Sequence, residues 1–132
     1  MKDLDSEFNK YLEFVTDTTS YPSYPNNLDS GTGSLEELTY CALGLAGETG
    51  EAVDCVKKMM RDPTDLEYRR KQISNLFLEM GDVLYYWIRL ALVLDLHPSE
   101  IMKANIKKLE TLKKMDMLKQ MGMMHEQGKV IS

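Results

Sequence analysis

The chain has 132 residues, 43% of them hydrophobic and 28% charged, with a formal net charge of −5. That length fits a single domain over 1–132, able to bury roughly 70% of its unfolded surface, so neither a disulfide nor a structural metal is needed to hold a core. The acidic balance argues against nucleic acid as a partner, and no apolar run approaches the roughly 18 residues of a membrane span. The acidic N-terminus lacks the apolar stretch of a signal peptide, so the expected location is cytoplasmic.

The first element is a helix from about Leu4 to Thr18, where Leu4, Phe8, Tyr11, Leu12 and Val15 make an apolar stripe at spacings of three and four. Residues 20–33 are dense in Pro, Gly, Ser and Asn and read as a loop, so 1–33 form an N-terminal helix and loop. Ser34-Leu-Glu-Glu37 reads as a capping box that opens a second helix, ending near Met60 before Asp62-Pro63. Thr64-Asp-Leu-Glu67 reads as a second capping box. It opens a third helix that reaches toward Leu96, with Ser74-Asn75 as a candidate break. Pro98 suits the first position of a fourth helix, which runs to about Met121. The helical core is thus 34–121, followed by a tail, 122–132. No run alternates as a strand does, and the expected fold is an all-α bundle of four main helices. Cys41 and Cys55 lie 14 residues apart on one helix, about 21 Å along its axis. They read as buried packing residues rather than a disulfide or a metal pair. Residues 103–132 hold seven lysines against three acids, so the rest of the chain carries about −9. Most of those lysines read as the solvated face of the last helix.

The second helix contains Gly44-Leu-Ala-Gly-Glu-Thr-Gly-Glu51. Each glycine in a helix interior costs about 1 kcal/mol relative to alanine, a cost accepted where backbones or a ligand approach closely. Glu48 and Glu51, at i and i+3, share one face, and Asp54 adds a carboxylate one step further on. The third helix repeats the pattern as Glu79-Met-Gly-Asp82, inside a stretch from Leu76 to Leu94 that is apolar nearly all round and reads as a buried central helix. Paired carboxylates in such surroundings need a positive charge, and no Lys or Arg follows them until Arg89. A divalent cation answers that need, and all-oxygen ligands suit Mg²⁺, with Mn²⁺ as a substitute, better than Zn²⁺.

These residues resemble the MazG-like all-α nucleoside triphosphate pyrophosphohydrolases. Their signature is Glu-x-x-Glu, a gap of a dozen to some thirty residues, then Glu-x-x-Asp. The resemblance covers about residues 38–112. Gly47 stands where the family carries a further Glu, at a position outside the four metal-binding carboxylates. A third family element on the last helix, Asn-x-x-Lys-Leu-x-x-Arg, is matched by Asn105, Lys108 and Leu109, while Leu112 replaces the Arg. Lys113 or Lys114 beside it is no equivalent of a bidentate guanidinium.

The resemblance implies a Mg²⁺-dependent enzyme that converts a nucleoside or deoxynucleoside triphosphate to the monophosphate and pyrophosphate. Glu48, Glu51, Glu79 and Asp82 are the expected metal ligands. Glu48 or Glu51 is the expected general base, and Asn105 and Lys108 are expected phosphate contacts. Lys58, one turn beyond Asp54, and Tyr86, one turn beyond Asp82, are further substrate-binding candidates, each weighed against plain solvation or packing. The first helix and the Tyr21–Tyr24 loop are expected to help form the base pocket. A homodimer or homotetramer is expected, since one chain offers too few helices to cover the third on all sides. Rival readings are a narrower dUTP, dCTP or phosphoribosyl-ATP pyrophosphatase, and a non-enzymatic helical module that binds a structural ion. A carboxylate-bridged di-iron bundle is set aside because neither His97 nor His125 falls at Glu-x-x-His spacing.

Overall fold

The computed structural model describes residues 2–18 and 33–122, with side chains from residue 6 onward. Four helices account for nearly all of these residues: α1 (Lys2–Thr18), α2 (Leu35–Arg61), α3 (Leu66–Val93) and α4 (Pro98–Gln120). There is no strand among the described residues, and the all-α expectation holds. The Tyr21–Tyr24 loop and the tail beyond Gly122 lie outside the described residues. The chain divides into two units, Met1–Leu96 and His97–Ser132.

The first unit is organised by α2 and α3, with α1 packed on α3. Glu37 meets Arg89, Gly44 meets Tyr86, and Val56 lines a groove with Leu76. Early α2 therefore meets late α3, and the two form an antiparallel helical hairpin. Ser34 is fully buried and caps α2, its hydroxyl accepting the Glu37 N–H at 3.0 Å. The second capping box is displaced by one residue. Asp65 is the cap, its carboxylate accepting the Tyr68 N–H at 2.9 Å. Thr64 is drawn away because its hydroxyl donates to Asp62 Oδ1 at 3.0 Å, part of the turn that follows α2.

Ser74 and Asn75 do not break α3, which runs unbroken for 28 residues. The Ser74 hydroxyl donates to the Arg70 carbonyl one turn back, so its polar group is satisfied within the helix. Nor does α3 reach Leu96. Asp95 takes a left-handed conformation, φ 55°, while Leu96 N donates to Ala91 O and Asp95 N to Leu92 O. That pair of bonds is the Schellman arrangement, with an Asp where glycine is usual.

Among the described residues, Val15, Cys41, Cys55, Ile88, Ala91 and Val93 are the buried apolar side chains, and both cysteines are free. The expectation that α3 is buried all round needs correction. Its late turns are covered, but Ile73, Phe77, Leu78 and Met80 are exposed within the chain. Two neighbouring helices cover only two sides of a third.

In the second unit, Pro98 opens α4 as expected, and the His97 ring accepts the Ser99 N–H at 3.2 Å. Gly122, with φ 71°, follows its end. No described helix is long and apolar enough to cross a membrane.

Candidate metal centre

Glu48 projects from mid-α2, and Glu79 and Asp82 from mid-α3, where the antiparallel seam brings the three together. One carboxylate oxygen from each lies within 4.8 Å of the others. Glu51 stands one turn further along α2, exposed and outside this tight set, yet its charge acts on Glu48. Partial burial pushes the Glu48 carboxyl above its ordinary range, and the charges of Asp82, Glu79 and Glu51 push it further the same way. Among the described residues, no Lys or Arg forms an ion pair with any of these four carboxylates. Arg89, the nearest cation along α3, is 2% exposed and turned to Glu37 at 3.5 Å, between the Tyr40 and Tyr85 rings. An all-oxygen donor set with unbalanced negative charge fits a hard divalent cation.

The other candidates fall in different places. Asp54 is not part of the cluster. It is bridged by Lys57 and by Lys58, the latter at 2.7 Å, and the hydrogen bonds from these two lysines hold its carboxyl at about 2. The Lys58 ammonium, half-exposed, has a carboxylate partner on its own helix. Tyr86 packs against Gly44 of α2, with the Tyr40 ring tilted beside it at a centroid distance of 6.4 Å. Asn105 and Lys108 are exposed on α4, in the second unit.

Beside Asp82 opens a cleft of about 610 Å³ between α1 and α3, lined by Tyr11, Phe14, Phe77, Leu78 and Tyr85. The Tyr11 hydroxyl donates to the Gly81 carbonyl at 3.4 Å, and Tyr11 and Phe14 stack with ring centroids 6.5 Å apart. Burial raises the Tyr11 pKa, and the neighbouring Asp82 charge raises it further. Tyr11 was visible in the sequence only as a member of the apolar stripe on the first helix. Nothing in its spacing showed that the stripe ends beside a carboxylate.

Residues 36–115, which contain all four carboxylates, match the MazG nucleotide pyrophosphohydrolase domain. The chain belongs to the MazG family. It is also similar to the Gene 37 protein of Mycobacterium phage L5, 36% identical over 104 residues that span 76% of this chain and 83% of that one. No solved structure matches the chain significantly. The MazG match begins inside α2 and ends within α4, so α1, whose aromatic residues line the cleft, lies outside it.

Proposed function

We propose that this MazG protein hydrolyses nucleoside or deoxynucleoside triphosphates to the monophosphate and pyrophosphate with Mg²⁺. The observation that carries the proposal is the meeting of Glu48, Glu79 and Asp82 within 4.8 Å, without a balancing cation among the described residues, beside a cleft lined by aromatic rings. Glu48, Glu79 and Asp82 hold the ions, with Glu51 at the edge of the set. Bound Mg²⁺ supplies charge neutralisation of the phosphate oxygens, a lowered pKa for the attacking water and stabilisation of the leaving pyrophosphate. Glu48 or Glu51 is the proposed base for that water, and the position of Glu51 outside the tight set supports Glu51. The water oxygen bonds to the α-phosphorus, the bond from that phosphorus to the bridging oxygen breaks, and pyrophosphate leaves with the electron pair. Tyr11 and Phe14 offer a ring face for the base. Asn105 and Lys108 are the proposed phosphate contacts from α4. The proposed assembly is a homodimer or homotetramer, supported by the apolar side chains that α2 and α3 leave uncovered.

Hydrolysis in ¹⁸O-enriched water with Mg²⁺, across the common nucleoside triphosphates, tests the reaction. The label is expected in the monophosphate, with unlabelled pyrophosphate as the second product. EDTA is expected to stop turnover, and Mg²⁺ or Mn²⁺ to restore it. Asp82→Ala is expected to abolish turnover while leaving the helical circular dichroism intact. Label in pyrophosphate, or release of orthophosphate, would overturn the reaction; full activity in chelator would overturn the role of the ion.

A further inference from the structure

Gly44 lies on α2 one turn before Glu48, and Tyr86 lies on α3 one turn after Asp82. In an antiparallel hairpin these two pairs occupy adjacent levels of one seam. A Cβ added to Gly44 would stand 2.6 Å from Tyr86 Cζ and nearer still to two other ring carbons. The phenol ring therefore rests on bare backbone. Its neighbours hold it there. Tyr85 meets it edge-on, with centroids 5.3 Å apart and an interplanar angle of 83°, and the Tyr40 ring lies on another side at a centroid distance of 6.4 Å, tilted by 58°. Gly47 and Gly50 of the same helix are unlike Gly44, since a Cβ on either meets nothing within 4 Å. Of these three α2 glycines, only Gly44 is required by a contact across the hairpin.

We propose that Gly44 and Tyr86 are a positioning pair that sets the separation of α2 and α3 at the carboxylates. They thereby fix the distance at which Glu48 faces Glu79 and Asp82. The consequence for metal affinity rests on the proposed Mg²⁺ site; the consequence for helix spacing does not. Mg²⁺ takes oxygen ligands at about 2.0–2.1 Å in near-ideal octahedral geometry, so a donor set split between two helices tolerates little change in their spacing. Ordinary carbon–carbon contact begins at about 3.5 Å, so a methyl at Gly44 under an unmoved ring asks the seam to open by about 1 Å.

Gly44→Ala, with Gly47→Ala as control, is made in the wild-type and the Tyr86→Ala backgrounds. Crystal structures of the metal-free proteins give the Cα separation of residues 48 and 82. Calorimetric titration with Mn²⁺ alone gives the affinity. Gly44→Ala is expected to widen the separation and weaken Mn²⁺ binding by roughly tenfold or more, the usual scale for losing a group that orients metal ligands. Gly47→Ala is expected to change neither quantity. Adding Gly44→Ala to Tyr86→Ala is also expected to change neither, because the ring is gone. Tyr86→Trp approaches the seam from the other side with a larger ring and is expected to widen it as well, which keeps the test decisive if Gly44→Ala does not fold. An unchanged separation with the ring swung aside, an equal loss in Gly47→Ala, or a loss that persists without the ring would each overturn the proposal. A wild-type protein that binds no Mn²⁺ overturns the metal site, and the separation alone then decides the positioning role.

Discussion

Three carboxylates at mutual distances under 5 Å carry an electrostatic cost in the metal-free protein, and Glu48 bears it most visibly. Its pKa is raised above the ordinary 4.5 by partial burial and by Asp82, Glu79 and Glu51. A raised acid pKa means that ionisation opposes folding. Below pH 4.5 the group is protonated in both states and the penalty is absent. As pH rises through the folded-state pKa the penalty appears and stability falls. Without metal, wild-type protein is therefore expected to lose more stability than Glu48→Gln as pH climbs through that window. Thermal unfolding in EDTA at a series of pH values reads the difference, and saturating Mg²⁺ should remove the wild-type loss. A Glu48→Gln profile that runs parallel to wild type in chelator would show that Glu48 does not feel its neighbours. The four carboxylates were legible in the sequence because glutamate and aspartate at i and i+3 must share a helix face. Their pairing across helices was legible as a need for charge balance and from the family resemblance. The engagement of Lys58 by Asp54 and of Arg89 by Glu37 was not, since only packing decides which partner a long cationic side chain meets.

At the level of the elements, the ends of the helices are where single side chains weigh most. Ser34 is buried and its hydroxyl is the acceptor for the Glu37 N–H. Ser34→Ala is expected to cost about 1 kcal/mol, the usual loss for a missing N-cap. Asp95 holds a left-handed backbone at the end of α3, a conformation that costs a side-chain-bearing residue roughly 1 kcal/mol. Asp95→Gly is accordingly expected to stabilise the protein by up to about 1 kcal/mol. Chemical denaturation of both variants checks the two signs together; a destabilised Asp95→Gly would show that the Asp side chain does more than tolerate its backbone. Helix existence and helix order followed from the sequence because four amphipathic stripes are separated by strong breakers. Boundaries followed less well. Thr64 and Asp65 are both good caps, and the choice fell to Asp65 because the Asp62 carboxylate captured the Thr64 hydroxyl. Ser74 looked like a breaker until its hydroxyl found the carbonyl one turn back.

For the molecule as a whole, the notable quantity is the apolar surface left exposed among the described residues of α2 and α3. Val53, Met60, Phe77 and Met80 are each more than 60% exposed, all on α2 and α3. Val53 and Met80 also line an apolar groove along the hairpin, with Ala52, Val56, Leu76 and Val83. Burying one such side chain contributes about 1.5–3 kcal/mol, so pairing two copies over this groove offers a large gain. Light scattering coupled to gel filtration is expected to give a dimer or tetramer. Val53→Lys combined with Met80→Lys is expected to shift it toward monomer with a lower melting temperature; an unshifted mass would place the assembly surface elsewhere. The apolar character of α3 was plain in the sequence. What covers it was not, because periodicity reports that a face is apolar and says nothing of whether the cover comes from the same chain.

The turn at residues 62–65 has a kinetic consequence. It joins α2 directly to α3, so Glu48 is only 31 residues from Glu79 and 34 from Asp82 along the chain. Closing a loop of that size carries a modest entropy cost that grows slowly with length, and helical hairpins zip from local contacts on fast timescales. The acidic cluster is therefore expected to come together early in folding, without waiting for α1 to dock. If the proposed Mg²⁺ binds there it would hold the hairpin shut, and amide exchange slowed by Mg²⁺ is expected to centre on residues 48–51 and 79–82 rather than on the outer turns of α1.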